Sequence, residues 1–363
     1  MIETIPLRML SISLSGRKHK EKNKPCEDAS MTMRRNGVSV VCLSDGAGSS
    51  QYSNSDMGSQ CVVETVCELL TKHFDAFYYD NHEALVRSVL VAAIQSELTI
   101  RANELNLANS DSMAATMLFC AVKDTRVIFG HIGDGIIARI TGSGLQLVTI
   151  PQNGEDISST IFVTLPHAQN YLRLIRSTTD DTHAIVMMTD GLSDLVYDNT
   201  KLLLMPVVAR LAEFGALPFE DGKAELEKTI HNFVIESSPL SDDASIGIIY
   251  FDGTQRPDPD TLVSDKLFVP RTSYDNISSV QHDILPRVQK AREILAKERE
   301  AERDGAISLA VPQSEPAAEI SNSTSKEVGD SVANSPPANQ KQTELNTTKP
   351  MSWFRRFIAT LRG

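Results

Sequence analysis

Apolar positions along this chain change period several times, and each change marks an element. Runs over Ile5–Leu14, Ala29–Arg34 and Val38–Leu43 predict early strands, the last leading straight into Ser44-Asp45-Gly46. The period then lengthens. Met57, Cys61, Val62, Val66, Leu69 and Leu70 form one stripe at helical spacing and Leu85, Val89, Leu90, Ala93, Ile94 and Leu98 another, which predicts two long amphipathic helices. Strand-like runs return at Ala115–Val122, Arg126–His131, Ile136–Ile140, Leu145–Ile150, Thr160–Thr164, Leu172–Ser177 and Ile185–Thr189. The gaps between them are too short for crossover helices, so they predict antiparallel hairpins. Helical stretches over Lys201–Phe214 and Lys223–Glu236 precede a last strand at Ala244–Phe251.

Strands grouped apart from helices imply an α+β fold, with helices flanking a two-sheet sandwich. Beyond it, a loop and a charged helix over Gln281–Arg303, with Pro286 in its first turn, fill residues 256–303. Residues 304–349 are rich in Ser, Asn, Pro, Thr and Gln and read as a flexible linker, because they hold too little apolar surface to offset the entropy of ordering. Over residues 350–363, Trp353, Phe354, Phe357, Ile358 and Leu361 share one helical face, with Arg355, Arg356 and Arg362 away from its centre. Such a segment suits a membrane interface or a partner's groove, and the plain alternative is a frayed helix on its own domain.

Of the 363 residues 41% are hydrophobic, which excludes disorder over the whole length. A net charge of -12 leaves no global basic field, so nucleic acid is excluded as a partner. Cys26, Cys42, Cys61, Cys67 and Cys120 are odd in number and form no C-x-x-C pair, and so read as reduced thiols, not as disulfides or a zinc site. The first residues form no leader, and no run reaches the ~18 apolar residues of a membrane span. The expected location is cytoplasmic, with peripheral attachment at the inner membrane face through the tail.

Asp recurs at strand ends and turns, often beside Gly: Glu27-Asp28, Asp45-Gly46, Gly133-Asp134-Gly135, Asp190-Gly191 with Asp194, and Ser241-Asp242-Asp243. One Asp-Gly is an ordinary turn. Repeated at the ends of apolar runs, these carboxylates can meet at one rim, where they cannot all stay ionised without a cation. With no thiolate ligands, hard Mg²⁺ or Mn²⁺ suits them. Two such ions about 3.5–4 Å apart activate a water and clamp a phosphoryl group.

In this order the segments resemble the metal-dependent type 2C Ser/Thr protein phosphatase (PPM) family over about Met9 to Phe251, within a domain at 1–255. Gly16-Arg17-Lys18-His19, Lys24-Pro25-Cys26-Glu27-Asp28-Ala29 and Ser44-Asp45-Gly46-Ala47-Gly48-Ser49 are similar to the bacterial branch, with its G-x-S-H, P-C-Q-D-A and D-G-A-G-S pattern. The resemblance implies an α-β-β-α four-layer sandwich with a C-terminal extension. It also implies hydrolysis of phosphoserine and phosphothreonine in proteins, opposing a cognate Ser/Thr kinase. Asp45 would bridge two Mn²⁺ or Mg²⁺ ions. Glu27 and the Gly46 carbonyl would complete one, Asp190 and Asp242 the other, and Asp28 would support them. Asp134, with Asp190 and Asp194, would hold the third ion seen in many members.

Two positions depart from the pattern. Ala47 stands where many relatives have a His, which leaves His19 and His131 as candidate proton donors or as structural hydrogen-bonders. Asn23 stands in place of a phosphate-clamping Arg, for which Arg17, Lys22 or Lys24 would substitute unless this run is simply a solvated loop. These departures also leave open a catalytically weak or inactive phosphoprotein-binding module.

Overall fold

Every residue of Val38–Ser44 is buried, and its side chains divide strictly by parity. Val40 and Cys42 join one apolar cluster, while Val41 and Leu43 join another. A strand buried on both faces belongs to an inner layer, and the two clusters are the layers of core on either side of it. The computed structural model describes residues 6–152, 160–199, 201–232, 242–254, 257, 262, 264–267 and 286–297. All of these but Lys297 belong to one unit, Met1–Ala296. The linker at 304–349 and the segment at 350–363 lie outside the described residues.

In chain order the elements are β1 (Leu7–Leu14), α1 (Arg17–Glu21), β2 (Ala29–Arg35), β3 (Val38–Ser44), α2 (Ser55–Tyr79), α3 (Glu83–Glu104), β4 (Met117–Lys123), β5 (Arg126–Ile132), β6 (Ile136–Thr141), β7 (Gly144–Thr149), β8 (Arg173–Thr178), β9 (Thr182–Met188), α4 (Asp190–Val196), β10 (Tyr197–Asp198), β11 (Leu203–Leu204), α5 (Val207–Ala212), α6 (Phe219–Ile230), β12 (Ala244–Phe251) and β13 (Ser264–Leu267). One sheet has the order β2-β3-β4-β5-β8 and the other β1-β12-β9-β6-β7-β13, with a separate β10-β11 ribbon. Helices α2 and α3 cover the outer face of the first sheet, and α5 and α6 flank the second. This is the expected α-β-β-α sandwich.

Local sequence explains the hairpins. Asn36 and Gly37 both take positive φ, the two-residue turn whose twist matches the β2–β3 pair. The sheets also approach closely: a Cβ at Gly247 would lie 2.6 Å from Val41 of the other sheet.

Four expectations need correction. Thr160–Thr164 is not a strand. Its alternating pattern arises because Ile161 and Val163 drop into the core beside α3, while Gln95 holds the Val163 and Leu165 carbonyls. Residues 201–214 do not form one helix: β11 comes first, and α5 begins only after Pro206, which lacks an N–H and suits a helix start. The second of these helices begins earlier than expected, at Phe219, and residues 233–236 lie outside the described residues. The loop at 256–280 contains β13, which adds to β7 in parallel. The charged helix is seen over 286–297, with Pro286 as its first residue. Its Arg287 pairs with Glu68 of α2 and Glu97 of α3. All five cysteines are free thiols, and all but Cys26 are buried.

Antiparallel register brings the acidic residues together. Ala29 faces Ser44, Leu43 faces Leu118 and Met117 faces Ile132. One end of the first sheet therefore presents Asp28, Asp45, Thr116 and Asp134. In the second sheet Leu14 faces Ala244 and Met188 faces both Ile246 and Ile136. The matching end there presents Gly16, Asp190 and Asp243.

Candidate functional site

Asp45 leaves β3, Asp134 lies in the β5–β6 crossover between the sheets, and Asp190 opens α4 directly after β9. One carboxylate oxygen from each lies within 4.8 Å of the others. Thr116 fixes Asp45 through its backbone: its Oγ1 accepts Asp45 N at 2.9 Å, and its own N donates to Asp45 O at 2.8 Å. Thr160 Oγ1 donates to Asp134 Oδ2. The backbone N of Gly191 donates to Asp190 Oδ1 at 2.6 Å.

Asp28 is buried behind this group, and Thr189 Oγ1 donates to its Oδ2 at 2.9 Å. Its Oδ1 is buried and meets no donor, as is Asp134 Oδ1. The carboxyl beside Asp28 is that of Asp45. Two facing carboxyls need a shared proton or a cation between them. Burial, followed by the charges of Asp190, Asp28 and Asp134, holds Asp45 well above the usual carboxylate range. Burial, then the charge of Asp134, pushes Asp190 up to about 8. Asp28 is pushed up to about 7, by burial first and with the charge of Asp243 adding to it. An all-oxygen donor set, orphaned buried carboxylate atoms and mutual repulsion together fit a hard divalent cation.

The other expected residues are placed less uniformly. Asp194 and Asp242 are exposed, yet both lie near enough for their charges to raise Asp190. Glu27 is buried: its Oε2 lies 3.3 Å from His19 Nε2, and its Oε1 accepts Lys24 Nζ at 3.4 Å. The Glu27 carbonyl accepts Gly46 N at 3.0 Å and Ser59 Oγ at 2.6 Å. A Cβ at Gly46 would lie 2.6 Å from that carbonyl, so the turn requires glycine. Arg17 pairs with Glu21, and Lys22 is exposed at the end of α1. Asn23 has φ 51, a left-handed position that suits Asn better than a longer side chain such as Arg. His131 is fully buried in the interior between the sheets, and burial followed by the nearby Arg173 pushes it down to about 3.

Thr116, Thr189 and Thr160 were not among the residues expected to build the site, and Asp243 was named only within an acidic segment, without a role. Thr189 and Asp243 stand directly beside Asp190 and Asp242, so adjacency was the available signal. Thr116 and Thr160 reach the site only through tertiary contacts.

The protein phosphatase 2C family profile matches residues 15–230, a span that includes His19 to Asp194 and ends before Asp242. The chain is 27% identical over 193 residues to serine/threonine-protein phosphatase 3 from Escherichia coli strain K12, covering 52% of this chain and 74% of that protein. Among solved structures, the serine/threonine phosphatase Stp1 from Staphylococcus aureus aligns at 16% identity with a TM-score of 0.47, over 70% of this chain and 98% of that one. The catalytic domain of the serine threonine protein phosphatase PstP, solved in complex with 2 manganese ions, aligns at 17% identity with a TM-score of 0.47, over 68% and 99%.

Proposed function

Because the chain belongs to the protein phosphatase 2C family, and is thereby a serine/threonine protein phosphatase, we propose that its acidic end binds Mn²⁺ or Mg²⁺ and uses the bound ions to hydrolyse phosphoserine and phosphothreonine in proteins. The observation that carries this reading is the meeting of Asp45, Asp134 and Asp190 within 4.8 Å. Bound divalent ions supply a water that is deprotonated near neutral pH and positive charge for the phosphoryl oxygens.

This chain's own residues do the rest. Asp45, Asp134 and Asp190 hold the ions, with Asp242 and Asp194 at the rim. Thr116 fixes the backbone from which Asp45 projects, and Asp28, itself held by Thr189, orients the Asp45 carboxylate. Of the three candidate phosphate-binding cations, Lys24 has a contact with a site carboxylate, on Glu27, and we assign it to a phosphate oxygen. His131 is sealed in the interior and serves as no proton donor. The substrates are proteins phosphorylated by a cognate Ser/Thr kinase, whose action this reaction reverses. No observation favours the non-catalytic binding module.

The test is hydrolysis of a phosphoserine peptide as Mn²⁺ is titrated into metal-stripped protein. Activity should rise from baseline with Mn²⁺ and stay at baseline in Asp190→Asn. Equal rates with and without metal, or in the parent and the variant, would refute the reading.

A further inference from the structure

The metal-binding segments come from two different sheets, so something must set the distance between them. Asp243 stands one residue beyond Asp242 on the β12 side, is 3% exposed, and receives its contacts from the β1–β2 connection. Its Oδ1 accepts Gly16 N at 2.6 Å, and its Oδ2 accepts Glu27 N at 2.6 Å. His19 Nδ1 lies 2.8 Å from the same Oδ2, at ion-pair distance though without hydrogen-bond alignment. The other ring nitrogen of His19 is 3.3 Å from Glu27 Oε2. His19 is 8% exposed, and its carbonyl accepts Lys24 N at 2.9 Å, which ties α1 to the loop before Glu27. On the far side, a Cβ at Gly191 would lie 1.9 Å from the Asp243 carbonyl, so the start of α4, next to Asp190, packs on the same joint.

A buried carboxylate is stable only when donors surround it, and here they come from the β1–β2 connection, which leaves the second sheet at Gly16 and enters the first through Glu27 and Asp28. We propose that His19 and Asp243 are positioning residues that form a clasp across the seam between the two sheets. The clasp holds the Glu27-Asp28 segment against the Asp242 segment and thereby sets the affinity of the site for divalent cations. Neither residue belongs to the three-carboxylate cluster, and the inference rests on the metal-binding reading above. Residues that orient ligands without touching the ion change metal affinity by about 10- to 100-fold when removed.

The experiment measures free Mn²⁺ by electron paramagnetic resonance during equilibrium titration of the full chain at one pH. His19→Leu, which fills the space without a donor, should weaken Mn²⁺ binding about tenfold, while the rate at saturating Mn²⁺ stays near that of the parent. His19→Gln, which keeps a donor toward Asp243, should recover most of the affinity. If the leucine variant does not fold, His19→Asn, too short to reach both carboxylates, carries the same expectation as leucine. Parental affinity in the donor-free or shortened variant, or a glutamine variant no better than it, overturns the clasp. Asp45→Asn separates the two ideas. If it loses Mn²⁺ while His19→Leu does not, only the clasp fails; if it binds Mn²⁺ like the parent, the metal-binding reading fails and takes the clasp with it.

Discussion

Between α2 and the five-stranded sheet, Val62, Val66, Leu70 and Phe74 pack with Val40, Cys42 and Phe119, all buried and all apolar. At the end of the same strands, Asp28, Asp45 and Asp134 lie under or beside the surface with Asp190. The first region is stable by itself, because removing apolar surface from water is favourable whatever the solution contains. The second is stable only conditionally, since carboxylates withdrawn from water and brought together must take up protons or a cation. Asp45 is three residues beyond Cys42 on one continuous segment. The apolar strand thus acts as a rigid mount, and the strand end carries the charges that the mount forces together.

That contrast can be broken at either region. The largest expected effect is on chemistry: Asp45→Asn should lower phosphopeptide hydrolysis by on the order of 10³-fold, since metal ions contribute several kcal/mol to the barrier and each ~1.4 kcal/mol is tenfold. Steady-state assays at saturating Mn²⁺ check it, and a loss below tenfold would mean that Asp45 is peripheral. Next is stability. Leu70→Ala should cost about 3 kcal/mol by denaturant unfolding, with the same loss whether or not Mn²⁺ is present.

The smallest effect is a pH dependence confined to the acidic end. Asp28, Asp45 and Asp190 have folded pKa values raised above their unfolded ones, mainly by burial. Between the unfolded value near 4 and the folded values, which for Asp28 and Asp190 are about 7 and about 8, the folded metal-free chain binds more protons than the unfolded one. The associated stability is present below about pH 4 and is lost as pH rises through the folded pKa values. Asp45→Asn removes one of these groups. In metal-free calorimetric scans its Tm should therefore gain on the parent's as pH goes from 5 to 8, whereas the Leu70→Ala difference should not move. A gain that shrinks with rising pH would contradict this.

Which features could be read from the chain follows the same division. The strands β2, β3, β5 and β12 were legible to within a few residues and the helices α2 and α3 through apolar stripes that stop short of their ends at Tyr79 and Glu104, because their periodicity is the imprint of an apolar core on one or both faces. The five-residue α1 and seven-residue α4 were not, being too short to show a helical period. Thr160–Thr164 misled because a loop that sinks Ile161 and Val163 into the core has the alternation of a strand. In the site, Asp45, Asp134 and Asp190 were legible from their places at the ends of apolar runs. The role of Asp243 was not: its partners Gly16 and Glu27 lie more than two hundred positions away, so in the chain it looks like any turn aspartate. Glu27 was named from its place before Asp28, and in the fold its carboxylate lies beside His19 and Lys24.

The most direct measurement is anomalous scattering from a crystal of the full chain soaked in Mn²⁺. The account predicts manganese peaks among the carboxylates of Asp45, Asp134 and Asp190, one of them against Asp45. Crystals that bind manganese only elsewhere, or show no peak at Asp45 when Mn²⁺ is saturating for activity, would contradict it.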